Sequence, residues 1–286
     1  MLCAKNNSEK QEDKRAVTPL NKCVQVKMIL RTMLRCSKIN NGVNMIYGVI
    51  LAAGCGSRFG EPKQFMLIDD KPLIAYSLDT FKSAVDFVVV VTDEKHTGVM
   101  KPYVDEKTAV VCGGKSRGES LSNAVAFIEK QGASDDDIIV THDAARPFVS
   151  PALVNRILDG LHGEASGECV AACIPGIPVV DTIKVMDEEK KVVATPDRKH
   201  LMAVQTPQGF SLAFLRAAHQ RAEQEGWVVT DDASLLELCG HAVHVAEGEA
   251  GNKKITTPED LEMLRMTGER IPCVGYGYDV HKYADG

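Results

Sequence analysis

Arg58 and Lys63 stand within ten residues of Gly54, behind an apolar run (residues 49–53) that gives way to glycines at 54, 56 and 60. Bare glycine amides can approach phosphate oxygens closely. Arg58 can grip a phosphate as a fork, and Lys63 can act as a point charge. That combination suits a triphosphate whose charge must be neutralised during reaction. The stretch, GVILAAGCGSRFGEPKQF, is neither of two well-known phosphate loops. It lacks GxxxxGK[ST], and three residues instead of two separate its second and third glycines, so GxGxxG fails as well. Pro62 and Pro72 interrupt any long helix, so residues 57–71 read mostly as loop. Taken alone, the segment also reads as a glycine-rich turn with two solvated cations.

Five further segments carry polar groups beside apolar runs or helix starts. In THDAARPFV, Asp143 and Arg146 follow a strand pattern. An Asp there can hold Mg²⁺, which takes carboxylate and phosphate oxygens together; a structural turn pair is the alternative. CGGKSRGES places Gly113 and Gly114 beside Arg117 and Ser120, and reads equally as a helix cap. QTPQGF (with Thr206) and TDDAS (with Thr230, Asp231 and Asp232) fit turn and cap chemistry. GNKKITTPEDL sets Lys254 before a Thr257-Pro258 helix start, where by itself it is an ordinary solvated lysine.

The elements that must position these residues alternate. Strand patterns occupy residues 46–53, 87–91, 109–112, 137–141, 169–174 and 242–246. Helix patterns occupy residues 73–81, 120–128, 151–161, 212–224, 233–238 and 259–266, with Ser150-Pro151 a clear N-terminal signal. Strands alternating with helices predict an α/β fold with a doubly wound, mostly parallel sheet. Ligands then bind beyond the carboxyl ends of the strands.

Composition narrows the function. The 286-residue chain is 44% hydrophobic, 5% aromatic and carries a net charge of −6 with a pI near 5.8. Few aromatics and an acidic balance argue against a nucleic-acid surface. No window approaches 18 apolar residues, so no membrane span is expected. Nine cysteines with no CxxC pair read as reduced thiols of a cytoplasmic protein. Residues 1–44 hold nine cations against three carboxylates, leaving −12 for the rest. They read as a disordered extension or an upstream-start artefact, without a secretory signal.

In order, GVILAAGxGxRFGxPKQF, GGxxRxxS, HDAARPF, VxDTIK, DRxxLMAVQTPQGF, TDDAS and NxKITTPEDL resemble the motifs of the 2-C-methyl-D-erythritol 4-phosphate cytidylyltransferases over roughly residues 45–268. The resemblance implies a Rossmann-like nucleotidyltransferase domain at 45–270, acting as a Mg²⁺-dependent homodimer. It implies cytidylyl transfer from CTP to methylerythritol phosphate, a sugar-alcohol phosphate, with release of pyrophosphate. Position by position, it implies catalytic cations at Arg58, Lys63 and Lys254, and nucleotide contacts at Ala52, Ala53, Gly54, Gly56, Gly114, Arg117 and Ser120. Asp143 falls at the metal-side aspartate, and Arg146, Thr182, Arg198, Thr206 and Thr230 at substrate positions. Apolar runs at 178–185 and 191–195 fit a hairpin arm that crosses to the partner subunit in that family. One departure is Lys199-His200-Leu201-Met202, where many members place a tryptophan after the leucine. Ribitol 5-phosphate therefore stays open as the acceptor, as does a non-catalytic nucleotide-binding role.

The tail, VGYGYDVHKYADG, resembles the first strand of the 2-C-methyl-D-erythritol 2,4-cyclodiphosphate synthases. Asp279 and His281 are two apart and face the same way on an extended strand. In that family the pair ligates zinc. With the chain stopping at Gly286, residues 271–286 are expected to be a truncated start of a fused domain, inactive here. Zinc would matter only with that domain complete. The tail also favours methylerythritol phosphate over ribitol phosphate.

Overall fold

The computed structural model describes residues 44–54, 62–162 and 170–266. The expectations for Gly56, Arg58, Asp279 and His281, and those for residues 1–43 and 271–286, lie outside the described residues. In chain order the elements are β1 (Ile46–Leu51), β2 (Leu67–Ile68), β3 (Lys71–Pro72), α1 (Leu73–Ala84), β4 (Phe87–Thr92), β5 (Thr108–Cys112) and α2 (Arg117–Lys130). There follow β6 (Ile138–Asp143), α3 (Pro151–His162), β7 (Ala172–Pro178), β8 (Val185–Met186), β9 (Val192–Ala194), β10 (Met202–Val204) and β11 (Gln208–Ser211). The series closes with α4 (Leu212–Glu225), α5 (Ala233–Leu238), β12 (Val243–Glu247) and α6 (Pro258–Met266).

The central sheet runs β10-β7-β11-β6-β1-β4-β5, with β12 also pairing with β7. β1, β4, β5 and β6 are mutually parallel, as are β7 and β12, whereas β10 and β11 run antiparallel to their neighbours. Alternation along a strand sends side chains to both faces. Val88 and Val90 of β4 pack with Ile74, Leu78 and Phe81 of α1 and with Leu153 and Val154 of α3. Val89 and Val91 pack on the other face with Leu121 and Ile128 of α2, Leu215 of α4 and Leu236 of α5. Each such fully buried aliphatic side chain contributes about 1.5–3 kcal/mol. The doubly wound, mostly parallel sheet expected from the alternating pattern is what forms. Among the described residues no helix is long and apolar enough to cross a membrane.

Three local expectations are corrected. α2 starts at Arg117, not Ser120. Ser116 is its N-cap, accepting from Glu119 N at 3.1 Å, and the Glu119 carboxylate accepts from Lys115 N at 2.7 Å. This is a variant of the S-x-x-E capping box, and it satisfies amides that the helix leaves open. β7 spans Ala172–Pro178, running through Pro175 and Gly176 past residue 174, where the strand pattern stops. Pro175 lacks only a donor, and its carbonyl still accepts from Gln205 N at 2.8 Å. The QTPQGF segment is not a simple turn: its last residues form β11, wedged between β6 and β7. The cysteines need a correction too. Cys112 is disulfide-bonded, against the reduced-thiol expectation, while Cys173 and Cys239 are free thiols. Sequence spacing reports separation along the chain, not the tertiary proximity that a disulfide needs.

Candidate active site

The carboxyl ends of β1, β5 and β6 open on one side of the sheet. Backbone bonds lock them together: Ala52 N to Val91 O at 2.7 Å, Gly113 N to Thr92 O at 2.9 Å and Ala144 N to Leu51 O at 3.1 Å. Above them lies a cavity of about 560 Å³ lined by Ala52–Gly54, Lys63, Gly114, Arg117, Ser120, Asp143 and Lys254, among others. Gln64 shapes its floor. The buried amide donates to Ala52 O at 2.6 Å and Gly54 O at 3.0 Å, turning the chain after β1. Lys63 precedes it in a 3₁₀ turn after Pro62 and reaches the cavity. The Ser120 hydroxyl donates to Ser116 O at 2.8 Å and accepts from Gly114 N at 3.0 Å. Ser120 therefore shapes the loop as well as lining the cavity. A Cβ at Gly113 would lie 2.3 Å from Ala53 Cβ, so the two loops touch only because residue 113 is glycine.

A second cavity of about 280 Å³ adjoins the first, lined by Arg146, Thr206, Gln208, Thr230 and Asp231 among others. Arg117, Asp143 and Lys254 line both. Lys254 Nζ donates to Asp143 Oδ2 at 2.6 Å, and Arg117 Nε stands 3.7 Å from Asp143 Oδ1. Burial opposes ionisation of Asp143, but Lys254 and Arg117 outweigh it and hold the carboxyl below the usual carboxylate range. Lys254 comes from the far end of the chain and is braced on both sides. Ile255 N donates to Ala145 O at 2.8 Å. Asn252 is fully buried, with its side-chain amide on Thr206 O at 2.7 Å and its carbonyl accepting from Arg146 Nη1 at 2.7 Å.

Beneath the second cavity, His142 is fully buried. Its Nε2 faces Arg146 O at 2.9 Å. A carbonyl can only accept, so Nε2 carries the proton and Nδ1 accepts from the Thr206 hydroxyl at 3.1 Å. Thr206 Oγ1 in turn accepts from Asp143 N at 3.1 Å. Burial pushes the His142 pKa down to about 4, so the ring is neutral and orients Thr206.

Ala52, Ala53, Gly54, Lys63, Gly114, Arg117, Ser120, Asp143 and Lys254 thus meet at the first cavity, and Arg146, Thr206 and Thr230 at the second. Thr182 and Arg198 do not join them. Both are exposed on the stretch between β7 and β10, where Arg198 Nη1 donates to Val180 O. Three residues that shape the site went unnoticed in the sequence: Gln64, His142 and Asn252. Their only sequence signal is a polar residue beside a structural turn. Asp231 behaves as cap chemistry predicts, accepting from Ser234 N and Oγ. Asp232, read the same way, instead crosses to Arg117, its Oδ2 lying 2.5 Å from Nη1.

Residues 46–267 match the family model of 2-C-methyl-D-erythritol 4-phosphate cytidylyltransferase (IspD). The chain is 40% identical over 262 residues to a bifunctional enzyme IspD/IspF of Nitratidesulfovibrio vulgaris, covering 83% of this chain and 62% of that protein. It thus spans about three fifths of the length of that bifunctional relative. It is 38% identical over 226 residues to the 2-C-methyl-D-erythritol 4-phosphate cytidylyltransferase of Geotalea uraniireducens, covering 76% and 93% of the two. The crystal structure of the Francisella tularensis enzyme of the same name superposes with a TM-score of 0.67 at 31% identity, covering 78% of this chain and 99% of that one.

Proposed function

The chain belongs to the 2-C-methyl-D-erythritol 4-phosphate cytidylyltransferase (IspD) family, and from that premise we propose that it transfers a cytidylyl group from CTP to 2-C-methyl-D-erythritol 4-phosphate, releasing pyrophosphate. The observation that carries the reading is the pair of adjoining cavities divided by Arg117, Asp143 and Lys254. The larger suits a nucleoside triphosphate, and the smaller a sugar-alcohol phosphate. The dividing wall is where the two phosphates would meet.

In this reading an acceptor phosphate oxygen attacks the α-phosphorus of CTP, and the bond to the pyrophosphate oxygen breaks. The nucleophile is already anionic at neutral pH, so no base is needed. The surroundings agree: no histidine, cysteine or tyrosine of the described residues lines either cavity. What the reaction needs is cationic charge placed in advance. Lys63, with Arg58, serves the triphosphate, and Lys254 bridges the two cavities. Ala52–Gly54, Gly114 and Ser120 receive the nucleotide, while Arg146, Thr206 and Thr230 receive the acceptor.

Asp143 fits a Mg²⁺ site. It is an ionised carboxylate on the cavity wall, and Mg²⁺ is commonly held by one or two carboxylates together with substrate phosphates. Bound there, Mg²⁺ would offset phosphate charge. The described residues contain no cluster of three or more carboxylate, imidazole or thiol groups for a metal held by protein alone. Thr182 and Arg198 are proposed to serve the acceptor cavity of a partner subunit in a homodimer. The support is their exposed hairpin, where Val180 is 79% and Val193 60% exposed. The cytoplasm is the proposed location, supported by the free thiols of Cys173 and Cys239 although Cys112 is disulfide-bonded, and zinc is proposed for Asp279 and His281 alone.

Pyrophosphate release with CTP and Mg²⁺, measured against methylerythritol phosphate, ribitol 5-phosphate and a small panel of other sugar phosphates, tests the reading. Turnover on methylerythritol phosphate is expected. Preference for ribitol 5-phosphate would replace the acceptor, and no turnover with any would leave only nucleotide binding.

A further inference from the structure

Asp232 touches neither cavity, yet it is bonded to a residue that lines both. It is 2% exposed, deep below the wall. Its Oδ2 lies 2.5 Å from Arg117 Nη1 and 3.5 Å from Thr141 Oγ1, and its Oδ1 lies 3.7 Å from His219 Nε2. Arg117 is the first residue of α2, fixed at its backbone by the Ser116 cap. Its guanidinium is therefore tethered twice: by the helix start at one end and by Asp232 at the other. Its remaining edge, Nε, faces Asp143 at 3.7 Å. A buried carboxylate that no ligand can reach is costly to keep unless it does something for its partner.

We infer that Asp232 is a positioning residue: it holds the Arg117 guanidinium in the wall between the two cavities, aimed at the place where the reacting phosphates meet. The inference rests on the proposed two-cavity reaction. Without Asp232, the Arg117 fork has a stronger partner in Asp143 or in a bound phosphate, and would swing toward either. Asp143 would then be over-neutralised, or the nucleotide held off line. Asp232 thus keeps a strong cation near the reacting groups without letting it collapse onto the nearest anion. His219 helps keep Asp232 ionised: burial opposes the charge, but His219 and Arg117 hold the carboxyl below its usual range.

The test is a double-mutant cycle of Asp232→Asn and Arg117→Gln, read as kcat/KM and KM, with the Arg117 side-chain Nε–H resonance followed by NMR in the ligand-free protein. Asp232→Asn should lower kcat/KM about 10–100-fold, the scale seen when an outer partner of a site residue is removed. The loss should fall mainly on kcat and should vanish in the Arg117→Gln background. The Arg117 resonance should shift and broaden. Independent, multiplying losses, or an unchanged Arg117 resonance, would overturn the inference. If Asp232→Asn melts below the assay temperature, Asp232→Glu keeps the charge but displaces it; full kcat/KM in that variant would overturn it equally. Failure of the functional reading looks different. The wild type would then not turn over methylerythritol phosphate, while the resonance, which needs no substrate, still reports whether Asp232 holds Arg117.

Discussion

Lys254 Nζ lies 2.6 Å from Asp143 Oδ2, although 111 positions separate the two residues in the chain. The lysine therefore stands at the carboxylate proposed for Mg²⁺, and a metal there and Lys254 share one anion. Lys254→Ala should lower kcat roughly 10²–10³-fold, the usual loss when one preorganised charge partner is removed. Asp143→Asn should raise the Mg²⁺ concentration needed for half-maximal rate. Titration of rate against Mg²⁺ checks both; an unchanged Mg²⁺ dependence in Asp143→Asn would remove the metal role.

Lys63→Ala should likewise cost roughly 10²–10³-fold in kcat. Its melting temperature should barely move, since a partly exposed loop lysine usually contributes within about 0.5 kcal/mol. Lys63→Arg should not restore full activity, because a fork does not replace a point charge in a fitted site. Steady-state kinetics at saturating CTP and Mg²⁺ beside a thermal melt decide the matter. More than about half of wild-type kcat in Lys63→Ala would be far outside that loss and would sink the assignment.

CTP should be preferred over ATP and GTP, because the loops at Ala53 and Gly113 touch and a purine needs more room than a pyrimidine. Gly113→Ala should force them apart. An added Cβ would stand 2.3 Å from Ala53 Cβ and 3.0 Å from Ser120 Oγ. Overpacking of that kind costs about 1–3 kcal/mol. A lower melting temperature with a raised KM for CTP is expected, measured by calorimetry and initial rates. Equal wild-type turnover of ATP would refute the pyrimidine pocket.

The β8–β9 hairpin should exchange between subunits. Met186, Val192 and Val193 are 57–60% exposed, which is unusual for neighbouring large apolar side chains unless a partner covers them. Val193→Asp should give monomers by light scattering and lose acceptor turnover while still binding CTP. A fully active monomer would count against the arm.

Acid stability offers a check on the segment that carries Lys254. Asp260 accepts from Thr256 N at 2.8 Å and Thr257 N at 3.0 Å, with Lys253 Nζ 2.8 Å away. Burial opposes ionisation, but these partners hold its carboxyl well below the usual range. A depressed native value stabilises the fold above the unfolded value near 3.8, and this is lost as pH falls from there through the native value. Asp260→Asn should therefore melt lower than wild type at pH 7, with the gap narrowing below about pH 4. A gap that is constant with pH would exclude the ionised cap.

Much of the sheet was legible because apolar strands and amphipathic helices announce themselves by period. The runs at 87–91 and 233–238 became β4 and α5 almost unchanged. β11 was not legible. Thr206-Pro207-Gln208-Gly209 reads as a turn by local chemistry, and only pairing with both β6 and β7 makes Gln208–Ser211 a strand. The start of α2, by contrast, was legible in the Ser116-x-x-Glu119 spacing, a capping-box signature, and the apolar pattern alone placed it three residues late.

The sequence by itself determined the alternating α/β order, the glycine-rich stretch that follows the first apolar run, and the charged residues Lys63, Asp143, Arg146 and Lys254 beside a strand pattern or a helix start. Those are local properties, set by spacing and residue type. The tertiary structure alone decided which charges meet. Lys254 reaches Asp143 because its neighbours are anchored, Ile255 on the backbone just after β6 and Asn252 on Thr206. Asp232 holds Arg117 because the fold brings the start of α5 against the start of α2. Charge pairing falls off within a few ångströms and is indifferent to distance along the chain, so no pattern in the sequence records it.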